Sequence, residues 1–265
     1  MAREHRALAA LDQLDRHSLS VAVQIQSIAR AAAVLRLLTV HRRPRPLADL
    51  AAELRLPKGT VYGILRTLQT VGFVEQESDS RKYQLGPALL HIGSSYLNGS
   101  ELRRRALDAA YTLATQAGEG VRIGTLHENF VLVVHHVPGC DERLMVLDVG
   151  GLMPLHATAL GKALLANRGE FAADIDATAL ASCTAATITD PDRLRAELSR
   201  ISERGWASEV GEFVPGARGG AVVGVIAISG PTERICDGDS PRSALVGYVM
   251  ESARTISRQL GGRPW

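Results

Sequence analysis

The chain has 265 residues, of which 46% are hydrophobic and 22% charged, and its formal net charge is +2. This length accommodates one or two domains, and the sparse aromatic residues (4%) leave Ala, Val, Leu and Ile to build the core. No apolar run approaches the ~18 residues of a membrane helix. Residues 1–20 also lack the apolar centre of a signal peptide. We therefore expect a cytoplasmic protein with no membrane partner.

The distribution of charge along the chain and the few cysteines further indicate the class of protein. Residues 1–86 hold 13 Lys and Arg against 8 Asp and Glu, whereas residues 87–265 hold 17 against 20. A basic first part joined to a mildly acidic second part suits a DNA-binding domain followed by a domain with another task. The three cysteines (Cys140, Cys183 and Cys236) lack metal-binding spacing and fit a reducing compartment.

The first segments are a charged arm, a helix and a basic loop. Residues 1–22 are Ala-rich and charged, and they are either helical or disordered. Apolar residues at helical spacing predict a helix over Ile25–Val40. The loop His41–Pro46 then carries three arginines within four residues. It is either a plain solvated connection or, beside a DNA-reading helix, a phosphate contact, for which Arg45 is the candidate.

Residues 46–71 predict two helices joined by a tight turn. Leu47, Leu50, Ala51 and Leu54 form one apolar stripe, which Leu56-Pro57 ends because the residue before proline avoids helical geometry. The second helix starts at Pro57 or Lys58. This arrangement is typical of a helix-turn-helix whose second helix enters the DNA major groove. The residues near its start that we assign to DNA are Lys58, Gly59, Thr60, Tyr62 and Arg66.

A short hairpin follows at once and favours DNA binding over a plain helical hairpin inside a larger core. Phe73–Glu77 and Lys82–Leu85 are short enough to pair across the polar turn Ser78-Asp79-Ser80. Arg81 and Lys82 then lie at the tip, as in the wing of a winged helix-turn-helix. The sequence thus predicts a DNA-binding domain over 23–86 with double-stranded DNA as its partner.

Residues 87–100 predict a linker helix, and residues 101–265 a second domain. Ser100 is a plausible N-cap of a helix that Gly118 ends, and Asp190-Pro191 starts another helix that Gly205 ends. Strands are predicted at Val121–Leu126, Phe130–Val137 and Arg143–Val149, and one buried strand at Ala221–Pro231. A final helix is expected over 241–260. The whole chain is therefore α+β, with an antiparallel sheet and helices in its second domain.

The second domain has no catalytic constellation in its sequence. No Ser or Cys stands in a nucleophile context, and Gly161-Lys162 is not a phosphate-binding P-loop because Ala163 follows it. His135 and His136 do not predict a metal site, since adjacent strand residues point to opposite faces. A glycine-proline loop, Gly150–Pro154, is predicted to lead into a helix whose start offers N–H groups to an anion. We expect a ligand-binding domain without enzymatic activity, cofactor or metal.

The motifs together resemble the IclR family of bacterial transcriptional regulators over about Ile25–Leu260. The matching stretches are Gln26–Arg30, Leu56–Tyr62, Tyr83–Gly86, Pro154–Ala166, Arg204–Trp206 with Glu212, and Ile228–Pro231. The resemblance implies an N-terminal winged helix-turn-helix, a linker helix and a C-terminal GAF/profilin-like effector domain. It further implies a homodimer or dimer of dimers on near-palindromic operators. Its members repress or activate in response to small metabolites, commonly carboxylates.

The resemblance also implies the residues of an effector site. The positions that match the family's effector site are Met145, Met153, Ala159, Leu160, Glu209 and Ser229. Ala159 and Leu160 would offer backbone N–H groups to an anion, and Ser229 a hydroxyl. Ordinary core packing is the alternative for both methionines, and a solvated loop position is the alternative for Glu209.

One segment departs from the family pattern. Family members have an additional strand between the acidic loop and the last strand, whereas here residues 215–220 run straight into Ala221-Val222-Val223. About nine or ten residues near 218–221 are missing by this comparison. We therefore expect an unpaired sheet edge and altered effector binding. A regulator that has lost its effector response is the first alternative function, and an enzyme in the C-terminal domain is the second.

Overall fold

The computed structural model describes residues 25–40, 43–139, 149–167, 180–213, 217–223, 226–238 and 240–261. The arm 1–22 and Met145 thus lie outside the described residues. Two compact units divide the chain, residues 1–99 and 100–265. Their boundary falls at the end of the predicted linker helix, which groups with the first unit. Across the described ranges, no helix combines the length and apolarity that crossing a membrane requires.

The first unit has the predicted winged helix-turn-helix order. Its elements are α1 (Gln26–Val40), α2 (Leu47–Glu53), α3 (Lys58–Thr70), β1 (Val74–Gln76), β2 (Tyr83–Leu85) and α4 (Ala88–Gly99). The core of this unit unites Val34 of α1, Leu50 of α2 and Leu65 of α3, all fully buried. The apolar stripes read from the sequence therefore bring the three helices together. β1 and β2 pair as an antiparallel hairpin, as predicted.

The second unit alternates helices and strands in the order of the chain. They are α5 (Glu101–Ala117), β3 (Gly120–His127), β4 (Phe130–Val137), β5 (Leu152–Pro154), α6 (Ala159–Ala166), α7 (Pro191–Arg204), β6 (Ala207–Val210), β7 (Ala217–Val223), β8 (Ile226–Pro231), α8 (Thr232–Ile235), β9 (Cys236–Asp237), β10 (Ser240–Pro241) and α9 (Ser243–Gln259). The described strands β3–β8 form one antiparallel sheet in the order β5-β4-β3-β8-β7-β6. The α+β prediction is confirmed.

The helix ends follow the predicted capping signals. The Ser100 hydroxyl accepts a hydrogen bond from the Arg103 backbone N–H (3.2 Å), and the Asp190 carboxylate accepts one from Arg193 (2.8 Å). Gly118 and Gly205 end their helices in the left-handed conformation, with φ of 68° and 78°. Glycine adopts this conformation without the Cβ strain that other residues incur.

The structure corrects the prediction around residue 220. The predicted single strand Ala221–Pro231 is two antiparallel strands, β7 and β8, and β7 also pairs with β6 on its other side. The expected unpaired edge at this point was therefore wrong. Residues 217–220, which precede the strand predicted from Ala221, supply the start of β7.

Two further differences concern the segment between β4 and α6. The short strand β5 pairs with β4 through Leu152, Met153 and Pro154, where the sequence predicted only a glycine-proline loop. The predicted third strand at Arg143–Val149 lies, apart from Val149, outside the described residues. Three residues that end in a proline carry too weak a strand signal for sequence reasoning to detect.

Candidate DNA interface and effector site

Helix α3 has one buried and one exposed face. Val61 and Leu65 are fully buried against the core, and Leu68 is nearly so. Lys58, Gly59, Tyr62 and Arg66 are exposed, and Thr60 is half-buried. The structure therefore brings the sequence-predicted DNA residues of this helix together on its solvent side. The apolar period that holds α3 in the core also fixes which side chains face outward.

The wing presents Arg81 and Lys82 on a tightly hydrogen-bonded turn. The Arg81 N–H donates to the Glu77 carbonyl (3.0 Å), and the Glu77 N–H donates to the Lys82 carbonyl (2.9 Å). The Gln76 side-chain amide also donates to the Arg81 carbonyl (2.7 Å). Arg81 has a φ of 56°, a left-handed conformation that is costly for a residue with a side chain. Both basic side chains are exposed.

Arg45 lies in a different environment from the other predicted DNA residues. Its backbone exchanges two hydrogen bonds with Tyr83 of β2 (2.8 and 2.7 Å), which adds a bridge to the wing. Its guanidinium forms an ion pair with Glu53 and lies 3.7 Å from the Asp49 carboxylate, both on α2. Its side chain is 14% exposed. Arg45 thus connects α2 to the wing.

The start of α6 combines several of the predicted effector residues. Met153 of β5 and Ala159 and Leu160 of α6 are buried in one apolar cluster. The Thr158 hydroxyl caps the helix by accepting from the Gly161 N–H (3.1 Å) and donates to the Pro154 carbonyl (2.9 Å). Ala159 and Leu160 occupy the first turn, where helix geometry supplies no intrahelical acceptor for their N–H groups.

Helix α6 approaches the preceding segment closely at Gly161 and carries a buried lysine next to it. A Cβ atom on Gly161 would collide with the Leu155 backbone, so only glycine fits this position. The next residue, Lys162, is 1% exposed, and its Nζ donates to Glu212 Oε1 at 2.7 Å. Sequence reasoning did not predict this ion pair. The signal was a lone lysine within an otherwise apolar helical segment, because such a buried charge requires a partner.

Glu209 of β6 lies beside this ion pair. Burial raises the pKa of the Glu209 carboxyl to about 8, and the Lys162 charge opposes this shift without cancelling it. Burial likewise raises the pKa of Glu212, again opposed by Lys162. Among the described residues, Oε2 of Glu209 and Oε2 of Glu212 are buried without a hydrogen-bond partner. The cluster is therefore a buried set of polar groups within the second unit, and Glu209 is not a solvated loop residue.

A second buried cation lies near the last predicted effector residue. The guanidinium of Arg122 in β3 donates a hydrogen bond to the Ser229 hydroxyl in β8, and Arg122 is 4% exposed. Arg122 pairs with Ala227, which belongs to the same apolar cluster as Leu160. Because alternate strand residues share a face, Arg122, Ala227 and Ser229 lie on the side of the sheet that faces α6. Sequence reasoning missed Arg122.

Two histidines of the second unit, His135 and His156, are buried. His156 Nε2 lies 2.9 Å from the Ala181 carbonyl, and burial lowers the pKa of His156. Burial also lowers the pKa of His135, whose ring contacts Tyr111 edge-on. Within the described part of the chain, no group of three or more His, Cys, Asp or Glu side chains is placed to hold a metal ion.

Comparison with known proteins identifies the family. The family described as "Bacterial transcriptional regulator IclR C-terminal" matches residues 94–258, and the "IclR helix-turn-helix domain" matches residues 27–78. The chain belongs to the IclR family of transcriptional regulators. An IclR-type DNA-binding domain is thus followed by a C-terminal effector-binding domain, as the sequence predicted.

Individual relatives of this IclR-family chain support the assignment. The chain is 42% identical over 250 residues to the glycerol operon regulatory proteins of Streptomyces coelicolor and Streptomyces griseus, covering 91% of this chain and 98% of each relative. It is 29% identical to the Escherichia coli regulator KdgR, over 81% of this chain and 85% of the relative. The crystal structure of an IclR transcriptional regulator from Alicyclobacillus acidocaldarius superposes with a TM-score of 0.73 at 26% identity, covering 89% of this chain and 99% of that one.

Proposed function

We propose that this IclR-family regulator reads its operator with the exposed face of α3. Lys58, Gly59, Thr60, Tyr62 and Arg66 face the major groove, and Arg81 and Lys82 of the wing contact the flanking DNA. The observation that supports this proposal most is that α3 has two different faces. Its apolar face packs into the core, and its polar and basic face is exposed. Arg45 contributes by holding α2 and the wing together. In this proposal the protein is cytoplasmic and binds DNA there.

Charge removal on α3 tests this interface. A duplex selected by the wild-type chain from a random-sequence library serves as probe, with excess non-specific DNA as competitor. Lys58→Ala and Arg66→Ala should each weaken binding, and each lost phosphate contact should reduce the slope of log K against log salt by about 0.9. Arg195→Ala removes an exposed positive charge from α7 and serves as the matched control. Wild-type binding by both α3 variants would refute the interface.

The effector in this proposal is a small anionic metabolite, of carboxylate type or a phosphate ester. Arg122 and the first turn of α6 offer positive groups on one side of the sheet, with Ser229 as a hydroxyl beside them. Lys162 is paired with Glu212, and Glu209 with its raised pKa is largely protonated at neutral pH, so neither carboxyl group reverses this preference. Met145, Met153, Ala159 and Leu160 are the further members of the site.

The names of the relatives limit the range of candidate effector metabolites. Two proteins 42% identical to the chain are glycerol operon regulatory proteins, so the operon in this proposal serves glycerol or a related polyol. Effector binding shifts the population between states of different DNA affinity, and each ligand then changes the affinity of the other by the same factor. Such a shift gives an IclR-type repressor or activator its response.

Thermal unfolding with three compounds tests the effector class. Glycerate and glycerol 3-phosphate are the anionic probes, and glycerol is the neutral control. A compound that binds the folded state raises the apparent unfolding temperature. We expect an increase with an anionic probe in the wild-type chain and none in Arg122→Met. A shift with glycerol alone would refute the anionic class, and no shift with any of the three would favour a regulator without effector response.

The assembly in this proposal is a homodimer formed by the first unit. Ile25 and Ile28 of the α1 region and Leu90, Ile92 and Tyr96 of α4 are large apolar side chains that are more than half exposed. Two copies related by a two-fold axis would cover such residues and present two α3 helices to a near-palindromic operator. Pairs of such dimers form the tetramer common in the family.

A further inference from the structure

Two glycines occupy the exposed face of α3. Gly59 and Gly63 are four residues apart, so they lie one turn apart on the same side of the helix, and both are exposed. Arg66 follows on the same side. Gly63 is the sixth of the thirteen residues of α3, well inside the helix. Glycine at such a position lowers helix stability relative to alanine because it loses more backbone freedom on folding.

The fold of the chain does not require glycine at position 63. A Cβ atom added to Gly63 would meet no heavy atom of the described chain within 4 Å. Its φ lies outside the left-handed region in which glycine is favoured. Gly161 is the opposite case, since a Cβ there would collide with the Leu155 backbone. Neither packing nor backbone conformation explains Gly63, so its reason lies outside the described chain.

We propose that Gly63 is a positioning residue of the DNA interface, which lets the backbone of α3 approach the floor of the major groove. This inference rests on the proposed role of α3 in DNA binding. The absence of side chains at Gly59 and Gly63 leaves a smooth strip along the centre of the exposed face. Tyr62 lies on one flank of this strip and Arg66 at its end. Both then reach base edges, whereas a side chain at position 63 would keep α3 too far from the bases for these contacts.

The two effects of a methyl group at this position have opposite signs. Gly63→Ala improves helix propensity and should raise the unfolding temperature by about 4 °C for a domain of this size. The same methyl group separates α3 from the DNA, and the loss of one good base contact raises the Kd about tenfold. A larger side chain, as in Gly63→Gln, should raise the Kd further because the separation grows with its volume.

Gly247 of α9 provides the matched control. It is also exposed within a helix of the second unit, and a Cβ there would meet no atom within 4 Å. Gly247→Ala should raise the unfolding temperature of its unit by about 2–4 °C and leave the Kd unchanged. Both variants are made in the full chain, and their unfolding temperatures are measured by thermal unfolding. The Kd is measured by titration with a duplex that the wild-type chain selected from a random library. The duplex is about 40 base pairs long, which spans about four helical turns.

The combination of results decides the proposal. A more stable Gly63→Ala variant with weaker DNA binding, beside a Gly247→Ala variant with unchanged binding, would support it. Wild-type or tighter binding by Gly63→Ala would overturn it. A lower unfolding temperature for Gly63→Ala would also overturn it, since the fold itself would then need glycine. If the wild-type chain selected no duplex, the proposed interface would fail before Gly63 was tested.

Discussion

Lys162 is the residue on which the polar centre of the second unit depends. Lys162 is 1% exposed, and its Nζ donates a hydrogen bond to the carboxylate of Glu212, which lies 50 residues further along the chain. Replacing one member of a buried ion pair leaves the other charge without compensation, which costs about 3–5 kcal/mol. We therefore expect Lys162→Met to lower the free energy of unfolding by about this amount, measured by urea unfolding with Trp206 fluorescence.

The double variant separates charge from packing. Lys162→Met/Glu212→Gln removes both charges and should be more stable than Lys162→Met alone, because no isolated carboxylate remains buried. Arg195→Ala, which breaks an exposed ion pair with Asp192, should change the stability by less than about 1 kcal/mol. Equal losses in Lys162→Met and in the double variant would show that shape, not charge, sets the cost.

Glu209 predicts a pH dependence of stability. Its pKa is about 8 in the folded chain against 4.5 for the ordinary group, so between these values the folded state holds a proton that the unfolded state has released. The free energy of unfolding therefore falls as the pH rises through this window, by up to about 1.4 kcal/mol per pH unit from this group. Glu209→Gln should flatten the profile measured by urea unfolding at pH 5 to 8. An unchanged slope would place the Glu209 carboxyl in water.

Sequence reasoning at the residue scale succeeds where the cause is local. Ser100 and Asp190 cap their helices because an N-cap acts on N–H groups two or three residues away, a distance that the sequence makes visible. The Lys162–Glu212 pair joins residues 50 positions apart and leaves only a lone lysine as its signal. The sequence gives even less signal for Arg122, because its partner Ser229 becomes a neighbour only when β3 pairs with β8.

At the scale of elements, the contact of Arg45 with α2 and the wing makes a prediction about DNA binding. If Arg45 positions the wing through Glu53, then Arg45→Gln and Glu53→Gln remove the same contact. Each should weaken operator binding by about fivefold, the equivalent of a partly exposed ion pair. The salt slope should stay that of the wild-type chain, since no phosphate contact is lost. Titration of the selected duplex at several salt concentrations measures both.

Glu53→Gln decides between the two roles of Arg45. If Arg45 contacted a phosphate directly, removal of the acidic Glu53 would leave DNA binding unchanged or strengthen it, and only Arg45→Gln would lower the salt slope. Lys82→Gln, at the exposed tip of the wing, shows the slope change of a lost phosphate contact. A weaker complex in Glu53→Gln with an unchanged slope is the result that only the positioning role explains.

The sheet shows where element prediction from sequence ends. β3 was predicted from its alternating pattern and β4 from its β-branched run, and both strands are confirmed and pair antiparallel. β7 and β8 were read as one strand because the apolar run from Ala221 to Ile228 contains no strong turn signal. Gly219 and Gly220 lay outside the predicted strand, which began at Ala221, and glycine gives little strand signal. Pairing with β6 and β8 overrides that local preference.

At the scale of the whole molecule, the exposed apolar residues of the first unit predict its assembly. Ile28 of α1 is 64% exposed and Leu90 of α4 is 74% exposed, although both are large and apolar. A charge at either position would be buried without a partner in the proposed dimer, a cost of several kcal/mol. Ile28→Asp and Leu90→Asp should therefore be monomeric in light scattering at concentrations where the wild-type chain is a dimer.

Dimer loss carries a consequence for operator binding. A dimer places two α3 helices on two half-sites, so the second contact becomes intramolecular, and its loss lowers apparent affinity by about 10²–10⁴-fold. The monomeric variants should bind a single half-site as the wild-type chain does, yet lose the advantage of a palindromic duplex. Val71→Asp, at an exposed apolar position after α3, is the matched control for an added charge. A variant that stays dimeric and keeps its preference for the palindrome would place the dimer contact elsewhere on the chain.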